Sequence, residues 1–309
     1  MSARSVWSNL SNAMKIHNMQ DPVTTKLVVP LSPIRSLFDR GMTVVAMVLT
    51  IIGMSPLISV LWNIVSKGLP GLTATMFSKP IIDDGFANAI VGTLTMITIA
   101  ALLSIPLGIA TGIYLAEYNP NGKLNRTIKF INTILTGVPS IVVGIFTYDA
   151  VVLTSKRLFD FSYSAIAGGI SLAILMLPII ALTTEEVLKL VPNNLRLASS
   201  GLGASPFQTI SRIILPTALP ALVTGVLLAI SRGIGETAPL LFTALFAQDW
   251  ATNLLSPTAS LPILIFNLYN DPDPIKNQLV WTASFFLLGI VLAINIFARL
   301  FSSRVRSGI

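Results

Sequence analysis

Six stretches of this chain are each about as long and as apolar as a bilayer-spanning helix, near 41–65, 88–116, 128–152, 163–184, 218–245 and 280–301. Roughly 20 consecutive apolar residues cross the hydrocarbon core as a helix, so the expected fold class is an all-α polytopic membrane protein with six transmembrane helices. Composition points the same way. Of 309 residues, 53% are hydrophobic and 11% charged, whereas soluble domains carry about 25% charged residues. So few charges cannot coat a soluble globule, and so apolar a chain is not disordered. The absence of cysteine excludes disulfides, thiolate nucleophiles and cysteine-ligated metal, and one histidine, His17, excludes a multi-histidine metal site.

The net charge of +7 is a topology signal. Lys and Arg accumulate in cytoplasmic loops. With the N-terminus inside, inner segments hold Arg4, Lys15, Lys26, Arg35, Arg40, Lys123, Arg126, Lys129, Lys189, Arg196, Arg212, Arg299, Arg304 and Arg306. Outer segments hold Lys67, Lys79, Lys156, Arg157 and Lys276. The asymmetry sets both termini in the cytoplasm and accounts for the basic character without nucleic acid. Residues 1–40 are polar and read as a cytoplasmic tail, partly disordered, rather than as a cleavable signal peptide. Residues 41–303 make the membrane domain, and 304–309 a short cytoplasmic end.

Pro106, Pro139, Pro178 and Pro239 fall inside the expected spans, where each removes a backbone donor and kinks its helix. Gly108, Gly112, Gly137, Gly144, Gly168 and Gly169 accompany them; small residues allow close helix packing in membranes.

The inner loop 185–216 is long enough to carry structure of its own. A short helix through Asn193, Leu195 and Ala198 follows Pro192, then a small-residue hinge covers 199–204. Ser205, Pro206 and Gln208 spell a capping box for a second helix, with Phe207, Ile210, Ile213 and Ile214 on one face and Leu215-Pro216 as its end. The unit either docks into a partner's cleft, the bare hinge at Gly201 and Gly203 allowing close approach, or lies on the headgroups.

Arg232 and Glu236 are the ionisable pair near the middle of a span. A charge there costs about 2.5–3.5 kcal/mol on insertion scales, so such residues face a cavity or a partner. Four residues apart, the two share a helical face, and Gly233 and Gly235 leave room beside them. A guanidinium in this setting suits an oxyanion; a purely structural ion pair is the other reading. Glu185 and Glu186 read as a solvated helix end, and there is no phosphate-cradling Gly-x-x-x-x-Gly-Lys-Ser/Thr loop.

Leu195-Arg-Leu-Ala-Ser-Ser-Gly-Leu-Gly-Ala-Ser-Pro-Phe-Gln-Thr-Ile, followed by Leu215-Pro216, resembles the EAA loop of type I ABC importer permeases. The similarity is strongest to the PstA family of phosphate permeases, through Gly92-Thr-Leu, Ile105-Pro-Leu-Gly-Ile and Ile113-Tyr-Leu-Ala-Glu-Tyr. Gly137-Val-Pro-Ser-Ile-Val-Val-Gly-Ile-Phe and Ser231-Arg-Gly-Ile-Gly-Glu-Thr-Ala-Pro-Leu-Leu-Phe-Thr-Ala extend it. Three positions depart from the pattern: Leu197 stands where the EAA glutamate is usual, Gly201 where alanine is, and Ala221 where a glycine is common after Leu219-Pro220.

The resemblance implies a permease subunit of the bacterial inner membrane, not an enzyme, that moves phosphate by alternating access. It implies Arg232 and Glu236 on the substrate path, where Thr237 and Thr243 would add hydroxyl donors on nearby turns. It also implies an ATPase-coupling loop of Leu197, Ala198, Gly201, Gly203, Ala204, Ser205, Pro206, Phe207 and Gln208. Expected partners are a PstC-type second permease, a PstB-type ATPase dimer and a PstS-type phosphate-binding protein. No cofactor is expected on this chain, since ATP and Mg belong to the ATPase. The alternatives are a permease of the same fold for phosphonate, molybdate or sulfate, and an intramembrane enzyme acting on lipid phosphates, which the lack of a membrane histidine disfavours.

Overall fold

The computed structural model describes residues 33–118, 122–160 and 162–306, and among them every regular element is helical. The chain divides into two compact units, Met1–Leu61 and Trp62–Ile309. The described part of the first is most of helix α1 (Pro33–Gly68), whose apolar side chains up to Leu61 are exposed. Residues 33–40, expected in the tail, already form its first turns; the rest of that tail, up to residue 32, lies outside the described residues, as do 307–309 of the C-terminal end.

In the second unit come α2 (Ala87–Glu117), α3 (Lys123–Gly137) and α4 (Ser140–Thr147). A wide π-helical turn, Tyr148–Leu153, leads from α4 into α5 (Thr154–Phe159), and α6 (Ala165–Lys189) and α7 (Asn193–Gly201) follow. Next, α8 (Pro206–Thr209) passes through a second wide turn, Ile210–Ile214, into α9 (Leu215–Ile234). The unit closes with α10 (Ala238–Thr243), α11 (Leu261–Leu268) and α12 (Pro274–Arg306). Five helices are long and apolar enough to cross a membrane, or six if the bent pair α3 and α4–α5 is one span.

One expected span breaks at its proline as the sequence predicts, and another lies elsewhere than expected. The third is not straight: it bends by 104° between Gly137 and Ser140. Pro139 there has no backbone donor to continue the helix. Helices α2 and α6 run unbroken across Pro106 and Pro178, because each is packed along its length against the other. The fifth span lies earlier than expected, as one helical stretch of 29 residues from Pro206 to Ile234. Leu215-Pro216 does not end it. The preceding wide turn re-routes the hydrogen bonds that Pro216 would otherwise disrupt.

The core is built on the α2–α6 pair. A Cβ on Gly108 would lie 2.8 Å from the Ile180 Cβ, and one on Gly112 would collide with Thr184. Partner numbers rise together, so the two helices run parallel, their backbones close at the glycines as in membrane helix pairs. Ser164 caps α6 by accepting a 3.1 Å hydrogen bond from the Ala167 N–H. Around this pair, Met96, Leu172, Met176, Ala229 and Ile263 form the central cluster. Leu188, Val191, Ile210, Ile214 and Leu222 form a second at the end carrying the 185–216 loop. At the opposite end Phe77 packs edge-on against Phe86 and Phe286 at centroid distances of 5.2 and 5.1 Å.

Candidate functional site

Helix α9 ends at Arg232–Gly235 because two glycines weaken its last turn: the Gly235 N–H closes back on the Arg232 carbonyl at 3.1 Å, and α10 starts three residues later. Arg232 therefore sits at a helix terminus rather than at mid-span, which corrects the sequence expectation. Its side chain is 62% exposed, and its Nε lies 3.6 Å from Oε1 of Glu236, which is 18% exposed. The pair is ionic but too long for a hydrogen bond. Arg232 continues an exposed stripe of α9 with Thr217, Ala221 and Leu228 at helical spacing, directly beside the buried stripe of Ala218, Leu222, Gly225 and Ala229. At the edge of the packed face, the 62% exposed guanidinium reaches out past its own chain's core.

The hydroxyl-bearing residues nearby are arranged differently from each other. Thr237 lines a cleft of ≈ 500 Å³ with Gly235, Pro262, Phe266 and Tyr269, a cleft to which Arg232 and Glu236 do not contribute. Thr243 is fully buried and its hydroxyl donates to the Pro239 carbonyl at 2.8 Å, so it is not available as a donor on a path.

In the 185–216 loop, α7 runs on through Ser199, Ser200 and Gly201, leaving a turn of only three residues in place of the expected six-residue hinge. Gly203 has φ +78°, the left-handed conformation that glycine adopts freely. No atom lies within 4 Å of where a Cβ on Gly203 or Gly201 would stand, so the space beside both is open. The capping box forms as its spacing predicts: Ser205 Oγ accepts from the Gln208 N–H at 3.3 Å, and Gln208 Oε1 from the Ser205 N–H at 2.9 Å. Ala198 and Pro206 are exposed and Ala204 half-buried. Ile210 and Ile214 point into the core as expected, but Phe207 does not share their face: it is 72% exposed, alongside Leu197 at 64% and Leu202 at 89%. The loop presents an apolar surface outward.

Two ionic contacts are not evident from the sequence. Glu185 is not a solvated helix end: it is buried, bonded to Lys189 one turn on and to Lys129 of α3 at 2.6 Å. Helical spacing points to Lys189, but nothing local points to Lys129. Arg196 of α7 donates to Glu117 at the end of α2, Nε to Oε2 at 3.1 Å and Nη2 to Oε1 at 2.6 Å. It also donates to the Val191 carbonyl at 2.8 Å and the Leu188 carbonyl at 2.9 Å. The bonds from Glu117 hold the Arg196 guanidinium above its ordinary pKa range, against the opposing effect of burial. Asn88 likewise carries no sequence signal. Buried at the start of α2, it accepts from the Ile81 N–H and donates to the carbonyls of Gln248 and Asp249 at 3.2 and 3.0 Å.

Long apolar helices, a capped helix–turn–helix with an outward apolar face and an exposed cation at a helix break fit a multi-pass membrane protein, and its relatives make it a permease subunit of an ABC importer. Residues 104–307 match the family described as binding-protein-dependent transport system inner membrane component. The phosphate transport system permease protein PstA of Pasteurella multocida is 38% identical over 271 residues, 86% of this chain and 95% of that one. The PstA of Yersinia pestis is 41% identical over 266 residues, covering 84% and 88%, and PstA 1 of Mycobacterium tuberculosis 33% identical, covering 94% and 96%. The chain belongs to the PstA family of transport system permeases.

Solved structures agree on the fold. A bacterial alginate ABC transporter in complex with an alginate-bound periplasmic protein matches with TM-score 0.64 at 16% identity, over 87% of this chain and 97% of that one. An inward-facing MetNI methionine ABC transporter matches with TM-score 0.57 at 20% identity, over 71% and 95%.

Proposed function

We propose that this subunit forms one half of the pore of a phosphate importer and passes inorganic phosphate into the cytoplasm by alternating access, driven by ATP hydrolysed on separate subunits. The observation that carries this reading is the Arg232 guanidinium, exposed on a lipid-length helix and not hydrogen-bonded by its own counter-ion at 3.6 Å. An ion pair this exposed contributes little to stability. Instead the planar fork keeps donors free for two oxygens of an oxyanion stripped of water. Glu236 balances the charge while the path is empty and yields as phosphate arrives. Thr237, which lines its own cleft, is a second polar group for the path.

In this assembly a PstC-type permease covers the exposed stripe of α9, and a PstS-type binding protein delivers phosphate to the outer face. A PstB-type ATPase dimer, which holds ATP and Mg, receives the apolar surface of Leu197, Leu202 and Phe207. The positive-inside asymmetry supports cytoplasmic termini and a cytoplasmic 185–216 loop.

Reconstitution of the full importer in proteoliposomes tests the proposal. ATP-dependent uptake of labelled phosphate is expected, competed by unlabelled phosphate and not by sulfate or molybdate. Uptake of one of those oxyanions in its place would reassign the substrate.

A further inference from the structure

We infer that Arg196 is a positioning residue for energy coupling, a strut that ties the ATPase-facing helix α7 to the ends of both α2 and α6. Four of the five donors of the guanidinium are engaged, on three separate pieces of chain: the Glu117 carboxylate ending α2, the Leu188 carbonyl in the last turn of α6, and the Val191 carbonyl in the linker to α7. Seventy-nine positions separate Arg196 from Glu117, and their side chains are only 24% and 9% exposed, so water screens the contact little.

The geometry resists movement in more than one direction. A bidentate fork opposes both sliding and rotation of α7 against α2, which a single-point ammonium would not. The elements it grips are themselves coupled. Helices α2 and α6 touch backbone to side chain at Gly108 and Gly112, so a displacement applied to α7 reaches them as a pair. The other side-chain hydrogen bond from α7 to the rest of the loop, Ser199 to Thr209 at 2.8 Å, stays within the helix–turn–helix and transmits nothing to α2. The inference rests on the reading that this helix–turn–helix docks on the ATPase.

The test uses the assembled importer in proteoliposomes and compares wild type with Glu117→Gln and Arg196→Lys. Both variants are expected to retain ATPase subunits and to hydrolyse ATP within about twofold of wild type. Phosphate taken up per ATP should fall about tenfold. Glu117→Asp, which keeps the charge, should recover most of the ratio, and the exposed Glu186→Gln should leave it intact. If uptake and hydrolysis fall together at constant ratio, or neither changes, Arg196 only supports the fold and the inference is overturned. Should Arg196→Lys fail to assemble, Glu117→Gln carries the test, because Arg196 keeps its bonds to the two carbonyls. A wild-type chain that recruits no ATPase would instead overturn the docking reading, and the strut with it.

Discussion

Arg232 and Glu236 stand one turn apart at the break that ends α9, their nearest charged atoms 3.6 Å from each other, with the guanidinium exposed and the carboxylate sheltered. Arg232→Gln is expected to abolish phosphate uptake while leaving a folded, assembled importer, as read by uptake beside size-exclusion profile. Arg232→Lys keeps the charge and loses the fork. Charge-assisted hydrogen bonds contribute about 1.5–3 kcal/mol each, so uptake by the lysine variant should drop roughly ten- to a hundredfold. Near-normal uptake by the glutamine variant removes Arg232 from the path.

Gly203 and Gly201 separate backbone strain from partner contact. At φ +78°, Gly203→Ala forces a left-handed side-chain residue and should cost about 1–2 kcal/mol of local stability, with modest loss of ATPase binding. Gly201 has ordinary backbone geometry and open space beside it. Gly201→Trp should therefore leave the chain's thermal midpoint unchanged yet weaken recruitment of the ATPase in a pull-down. Gly203→Trp combines both effects and should uncouple uptake from hydrolysis. Full recruitment and uptake by both tryptophan variants would mean the hinge faces no partner.

The Lys129–Glu185–Lys189 cluster is a stability element. Glu185 is buried while the lysines are 36% and 49% exposed, so removal of the carboxylate strands charges that water can partly reclaim. Glu185→Gln should destabilise by about 1–2 kcal/mol, less than the loss of a fully buried pair, seen as a lower melting temperature in detergent. Replacing the three together with Met, Leu and Met should restore much of it.

Close contact between α2 and α6 makes their glycines intolerant of size. Gly108→Val drives branched carbons into the Ile180 side chain, whose Cβ lies 2.8 Å from where a Cβ on residue 108 would stand, an overpacking cost of about 1–3 kcal/mol. Reduced membrane yield is expected, with partial recovery in Gly108→Val/Ile180→Ala. Gly137, beside which no atom lies within 4 Å, should accept alanine with little change.

Local chemistry is often legible without coordinates where the interacting groups lie within a few residues. Ser205 and Gln208 cap each other as their spacing demands, Arg232 and Glu236 pair as their separation of four allows, and the apolar runs become helices because a backbone in lipid must satisfy itself. Hydropathy puts Arg232 at mid-span because it does not register where a Gly-rich turn ends a helix. Thr243 reads as a free donor because its bond to the Pro239 carbonyl depends on the start of α10. Leu215-Pro216 reads as a terminus because a wide turn leaves no trace in apolar periodicity.

What the amino-acid order determined alone was therefore membrane residence, helix count to within one bent pair, and the capped helix–turn–helix, all properties of short windows governed by hydration and hydrogen-bond reach. Tertiary structure decided that α2 and α6 run unbroken across Pro106 and Pro178, the burial of Glu185 against Lys129, and the grip of Arg196 on Glu117. Each depends on which surfaces meet after distant segments pack, and a contact across 79 positions is set by the register of two helix faces rather than by any neighbour in the chain.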